Sequence, residues 1–153
     1  MFNRRTLVMA LAVSTLAVVP AEAANNGVVK AKSAYSMTET IDRLKKDVAA
    51  KGITFFAEID QTKLAADSGI KLGPSTLLIF GNPALGSQFM TSNPSAGIDW
   101  PVRLLVIEDK NGQVWTVYND FGYIARRHHI KDRGAAFKMA SEVIASITSS
   151  VKK

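Results

Sequence analysis

Apolar positions recur along this chain with two different periods, and their alternation predicts a mixed α and β domain. Val28 to Tyr35 alternates weakly and reads as a first strand. Met37, Ile41, Leu44 and Val48 then fall on one face at helical spacing. Ser36 and Glu39 ahead of them form an S-x-x-E capping box, and Gly52 stands where a left-handed residue closes a helix. Ile53 to Ile59 is a β-rich run, followed by Asp60, which can cap a short helix from Gln61 to Ser68. Thr76 to Phe80 is an apolar run that stops at Gly81-Asn82-Pro83, a strong turn signal.

A helix from Ala84 to Thr91 follows, and Asn93, Pro94, Gly97 and Pro101 make the next stretch a loop. Val102 to Glu108 and Gln113 to Tyr118 flank Asp109-Lys110-Asn111-Gly112, the pattern of a β-hairpin. A short helix from Phe121 to His128 and a last helix from Gly134 to Ser149 complete the chain. The order is β-α-β-α-β-α-ββ-α-α. The terminal hairpin forces antiparallel pairing, so the expected fold is an α+β two-layer sandwich. Its sheet is mixed or antiparallel and its helices lie on one face. Ile41, Leu44, Ile79, Leu105, Phe137, Ile144 and Ile147 are the expected core.

The first residues follow neither period. Arg4 and Arg5 precede an apolar, uncharged run from Leu7 to Val19, which Pro20 breaks. Ala21-Glu22-Ala23 then places small residues at both positions that an export peptidase reads. The run falls short of the ~20 residues that span a bilayer. Residues 1–23 therefore read as a signal peptide and residues 24–153 as a single mature domain, periplasmic or secreted, with no stable membrane insertion after cleavage. The arginine pair is similar to a twin-arginine signal, but any basic n-region contains such residues, so both export routes stay open.

Composition narrows the chemistry. The 153 residues contain no cysteine, which excludes disulfides, thiolate metal sites, iron–sulfur clusters and a Cys nucleophile. The only histidines are the adjacent His128 and His129, too few for a three-His zinc site. No G-x-S-x-G elbow, Walker loop or dinucleotide turn is present. These absences weigh against an enzyme without deciding the question.

What remains is a set of polar residues that follow the β-runs. Asn82 is a helix cap, and the amides of its first turn can hold an anion. Tyr118 and Asn119 can line a cleft, while alternation puts Trp115 and Val117 on one sheet face and Thr116 and Tyr118 on the other. The window Arg126-Arg127-His128-His129-Ile130-Lys131-Asp132-Arg133 concentrates positive charge in a chain of net charge +6. Read plainly, it is a solvated helix end whose cations complement the dipole. Read functionally, it binds a small anionic molecule, a lipid headgroup or a haem. In the haem case His128 supplies the axial imidazole and Arg126 or Arg127 meets the propionates. Adjacent imidazoles point about 100° apart on a helix, so a second ligand would come from a dimer partner. Nucleic acid is not expected, because stacking aromatics and a reading motif are missing.

Several stretches resemble the DUF302 family of small bacterial domains. They are Thr40-Ile41-Asp42-Arg43-Leu44, Lys51-Gly52-Ile53-Thr54, Ile59-Asp60, Ala65-Ala66, Ile79-Phe80-Gly81-Asn82-Pro83, Leu85-Gly86 and Pro101. Trp115, Tyr118, Asn119, Asp120 and Ile124-Ala125-Arg126-Arg127-His128 extend the match. Together they cover residues 32–149. Family members often carry Thr where this chain has Ser87, which keeps the hydroxyl. The resemblance implies an α+β fold and self-association, and it brings no catalytic residues of established role.

The functional expectation is an exported module for a small ligand or cofactor. Asn82, Tyr118, Asn119, Arg126, Arg127 and His128 are its expected binding residues, facing one cleft. The alternative is an envelope interaction module, or a homodimeric structural part, without catalysis.

Overall fold

The computed structural model describes residues 26–152. The segment expected to be a signal peptide lies outside the described residues. Five strands form one sheet: β1 (Val28–Lys32), β2 (Thr54–Asp60), β3 (Ser75–Gly81), β4 (Val102–Glu108) and β5 (Val114–Asn119). Their spatial order is β1-β5-β4-β3-β2, and every neighbouring pair is antiparallel. The helices are α1 (Met37–Ala50), α2 (Gln61–Asp67), α3 (Pro83–Ser92), α4 (Phe121–Arg127) and α5 (Gly134–Ser149). The expected α+β order holds, and the sheet is antiparallel throughout.

Local chemistry explains where the helices start. Ser36, Asp60, Asn82 and Asp120 each accept a hydrogen bond from the amide three residues on, heading α1 to α4. Each such cap stabilises by about 1 kcal/mol. The capping box of α1 is only half made: the Glu39 carboxylate takes Arg43 Nε at 2.6 Å, on the helix's outer face. Gly52 follows α1 with φ of +64°, the left-handed conformation that a side chain would oppose. The stretch expected as a plain loop contains a 3-10 turn over Pro94–Asp99, capped by Asn93.

The inner face of the sheet carries the core. Leu78, Phe80, Leu104, Val106, Val114 and Thr116 point toward α1 and α5 and are buried. Leu44, Val48, Phe137, Ile144 and Ile147 meet them from the helices. Ile41 packs against this core only partly buried. Ile79 and Leu105, expected inside, lie on the other face of the sheet with Leu77, Ile107, Trp115 and Val117, all half-buried. Successive strand residues alternate faces, so Leu78 and Leu104 take the inward places that a continuous apolar run leaves ambiguous.

The two ends of the domain meet. Ala34 N–H donates to Val151 O at 2.9 Å, and Ser33 Oγ lies 3.4 Å from the same carbonyl, beside a fully buried Val151 side chain. Among the described residues no helix is long and apolar enough to cross a membrane.

Candidate functional site

A mostly apolar concavity lies between the end of β3, α3 and α5. Its volume is about 380 Å³. That size, with mostly hydrophobic walls and few polar groups, is the usual form of a small-molecule site. Phe80, Phe89, Trp100 and Phe121 supply aromatic walls, and α5 closes one side with Val143 and Ile144. Phe89 stacks on Phe137 with ring centres 4.1 Å apart, which fixes the back of the cavity. Its few polar lining residues are Lys51, Asn82, Glu142 and Ser146.

Trp100 is the wall that the turn between β3 and α3 exists to receive. A β-carbon at Gly86 would overlap the indole at Nε1, and one at Gly81 would crowd it at 3.2 Å. Glycine at both places lets the indole lie against bare backbone. Phe56 meets the other side of Trp100 edge-on, with centroids 6.0 Å apart. No hydrogen bond from the Trp100 indole N–H occurs among the described residues, the nitrogen is not fully buried, and the side chain lines the cavity.

The residue before it holds the wall in place. Asp99 Oδ2 lies 2.6 Å from His128 Nε2, with the His128 side chain 8% and the Asp99 side chain 5% exposed. Arg127 reaches the other carboxylate oxygen at 3.3 Å. Asn93 Nδ2 donates to the His128 carbonyl at 3.0 Å. The end of α4 is thus tied at three points to the segment that carries Trp100. His129, by contrast, is exposed and has φ of +54°, serving as the left-handed closing residue of α4.

The expected site residues are therefore dispersed. Asn82 lines the cavity while its side chain caps α3 through Leu85 N–H. Tyr118 faces inward against Thr148, and burial raises its phenol above the usual value. Asn119 is exposed at the end of β5, on the outer face. Arg126 is exposed, and Arg127 and His128 are engaged by Asp99. None of Tyr118, Asn119, Arg126, Arg127 and His128 lines the cavity. An iron at His128 Nε2 would have to displace Asp99, and no histidine faces the cavity. Among the described residues no cluster of three metal-binding side chains occurs.

Sequence reading missed Asp99, Trp100 and Phe89. The one available signal was a tryptophan placed in a Gly- and Pro-rich loop downstream of two unexplained glycines.

The family model described as "Domain of unknown function DUF302" matches residues 29–152. The chain belongs to the DUF302 family. A solved DUF302 structure agrees in fold: the uncharacterized conserved protein from Bacillus stearothermophilus superposes with a TM-score of 0.75 at 16% identity. That match covers 82% of this chain and 98% of the other. Two relatives are named Fluoride-specific ion channel FluC 1, from Brucella suis biovar 1 (strain 1330) and Brucella abortus biovar 1 (strain 9-941). Each is 33% identical over 129 residues. The match covers 84% of this chain and 50% and 47% of those proteins. This DUF302 chain spans about half the length of the curated relatives it matches.

Proposed function

We propose that this DUF302 chain is an exported small-ligand-binding module, released to the periplasm or beyond by cleavage after Ala23. The observation that carries the reading is the cavity under Trp100, walled by aromatic side chains from four separate segments. A domain of this size closes such a space when nothing is gained by keeping it open, because empty volume in a core costs stability. The binding centre of this reading is the cavity, with Asn82 at its edge. The basic segment Arg126 to His128 supports the wall from behind instead of meeting the ligand. A cofactor such as haem enters this reading only with rearrangement around His128, and a small anion only at the exposed Arg126.

The test is direct. The protein is purified from its own host, its visible spectrum recorded, and the molecules released on unfolding identified by mass spectrometry. A stoichiometric small molecule supports the reading, and a Soret band would restore haem. Repeated recovery of protein with nothing bound sinks the reading.

A second reading, an envelope interaction module that dimerises or joins a larger partner, is favoured by a different observation. Leu77, Ile79, Leu105, Ile107, Trp115 and Val117 form an apolar outer sheet face. In the Brucella relatives a stretch like this chain is half of a protein named as a fluoride-specific ion channel. On this reading the chain works on such a membrane partner. Light scattering at micromolar concentration separates the cases: a monomer disfavours the dimer, and twice the monomer mass supports it.

A further inference from the structure

We infer that the cavity under Trp100 takes a neutral, largely apolar ligand with one carbonyl-type acceptor, and that the Trp100 indole N–H is its donor. This deepens the small-ligand reading and rests on it.

Charge is excluded by what surrounds the space. Phe80, Phe89, Trp100 and Phe121 offer ring faces, and the remaining walls are mostly aliphatic. A charge brought there would lose its hydration without a counter-charge to replace it. Each of the two ionic side chains at the rim has an opposite charge nearby. Lys51 Nζ lies 2.7 Å from Asp47 Oδ2, and Glu142 faces Lys138 at 3.9 Å. The rim is therefore close to neutral and selects neither sign. The Asn82 side-chain oxygen is taken by the Leu85 amide. Asn82 and Ser146 are exposed residues at the rim, which leaves Trp100 Nε1, held over Gly86 and without a protein acceptor among the described residues, as the donor on a half-buried wall. An indole N–H only donates, so the complementary ligand atom is an acceptor. The Asp99–His128 pair and Phe56 hold the indole from behind, so the donor direction is set before a ligand arrives.

Three probes of one shape class test the inference on the protein purified from its own host. They are naphthalene, 2-acetylnaphthalene and 2-naphthoate, titrated by calorimetry. The ketone is expected to bind tightest and the carboxylate weakest. Trp100→Phe keeps a ring but removes the donor. It should weaken the ketone about two- to twelvefold, the equivalent of one neutral hydrogen bond, and leave naphthalene within about twofold. A second measurement needs no variant. The chain has two tryptophans, and Trp115 Nε1 is already bonded to Asp109 at 2.8 Å. In a nitrogen-15 spectrum the ketone should move the Trp100 indole N–H resonance downfield, naphthalene should not, and Trp115 should stay still. Tightest binding of 2-naphthoate, or equal indole shifts from ketone and hydrocarbon, overturns the ligand class while leaving the small-ligand reading intact. Failure of all three probes to bind overturns the ligand class, and the small-ligand reading is then decided by what the protein releases on unfolding.

Discussion

His128 Nε2 sits 2.6 Å from Asp99 Oδ2, and neither side chain has meaningful access to water. An imidazole in that position is a fastener between the end of α4 and the segment carrying Trp100. Truncating one member of a buried pair leaves the other without its partner, which is costlier than losing an exposed contact. His128→Ala should lower unfolding free energy by about 2–4 kcal/mol. Denaturant titration followed by far-ultraviolet dichroism measures it. A loss under about 0.5 kcal/mol would show the pair to be incidental.

The neighbouring histidine should behave in the opposite way. His129 occupies a left-handed backbone conformation at φ of +54° with an exposed side chain. That conformation costs an L residue roughly 1–2 kcal/mol, and glycine's looser unfolded chain returns part of the difference. His129→Gly should raise stability by about 0.5–1 kcal/mol in the same titration. Destabilisation would mean that the side chain makes a contact worth more than the backbone relief.

Gly86 and Trp100 should show strong coupling in a double-mutant cycle. A methyl group at Gly86 overlaps the indole. Gly86→Ala should therefore cost more than about 2 kcal/mol in the native background, although alanine is the better helix former. In a Trp100→Leu background the same change should be neutral or stabilising, since Gly86 lies within α3. Additive behaviour would remove Trp100 from its assigned place.

Acid should act on the hairpin through Asp109. The Trp115 indole N–H and the amides of Asn111 and Gln113 bond its carboxylate and lower its pKa from the ordinary 3.8. A carboxylate depressed in the folded state contributes stability above its unfolded value, and loses that contribution as pH falls through the folded one. The native protein should lose stability on acidification below about pH 4. Asp109→Asn should be less stable near neutral pH and lack that component of acid loss. Parallel acid profiles for the two proteins would dismiss the hairpin as the source. Trp115 emission provides the local signal.

Core truncations separate the two faces of the sheet. Leu44→Ala and Ile144→Ala should each cost about 2–5 kcal/mol. Leu105→Ala, on the half-buried outer face, should cost less than either. Equal losses would mean that the outer face is covered in solution, as it would be in a dimer.

The elements of the fold were readable because each begins or ends with a residue of narrow purpose. Ser36, Asp60, Asn82 and Asp120 cap helices, and Asn111-Gly112 turns the hairpin. The inward face of β3 and β4 was not readable. In Thr76–Phe80 and Val102–Glu108 apolar residues occupy both parities, so alternation carries almost no signal that Ile79 and Leu105 belong to the outer layer. The site fared worse for a different reason. The types useful in chemistry cluster near His128, but the cavity is made of ordinary Phe, Leu and Val residues whose meeting is tertiary. Asp99 drew His128 into the framework, and no local pattern announces a partner 29 positions away.

The bond from Ala34 to Val151 has a consequence for how the chain acquires its shape. Strand β1 pairs only with β5, and Ala34, two residues beyond it, is tied to Val151 just after α5. The earliest part of the domain to leave the ribosome is thus among the last to find its neighbours. Such high sequence separation slows folding, because a long loop must close before any contact rewards it. Deleting the final residues from Val151 onward should therefore loosen the opposite end of the chain, and protease nicks should appear first around Val28 to Ala34.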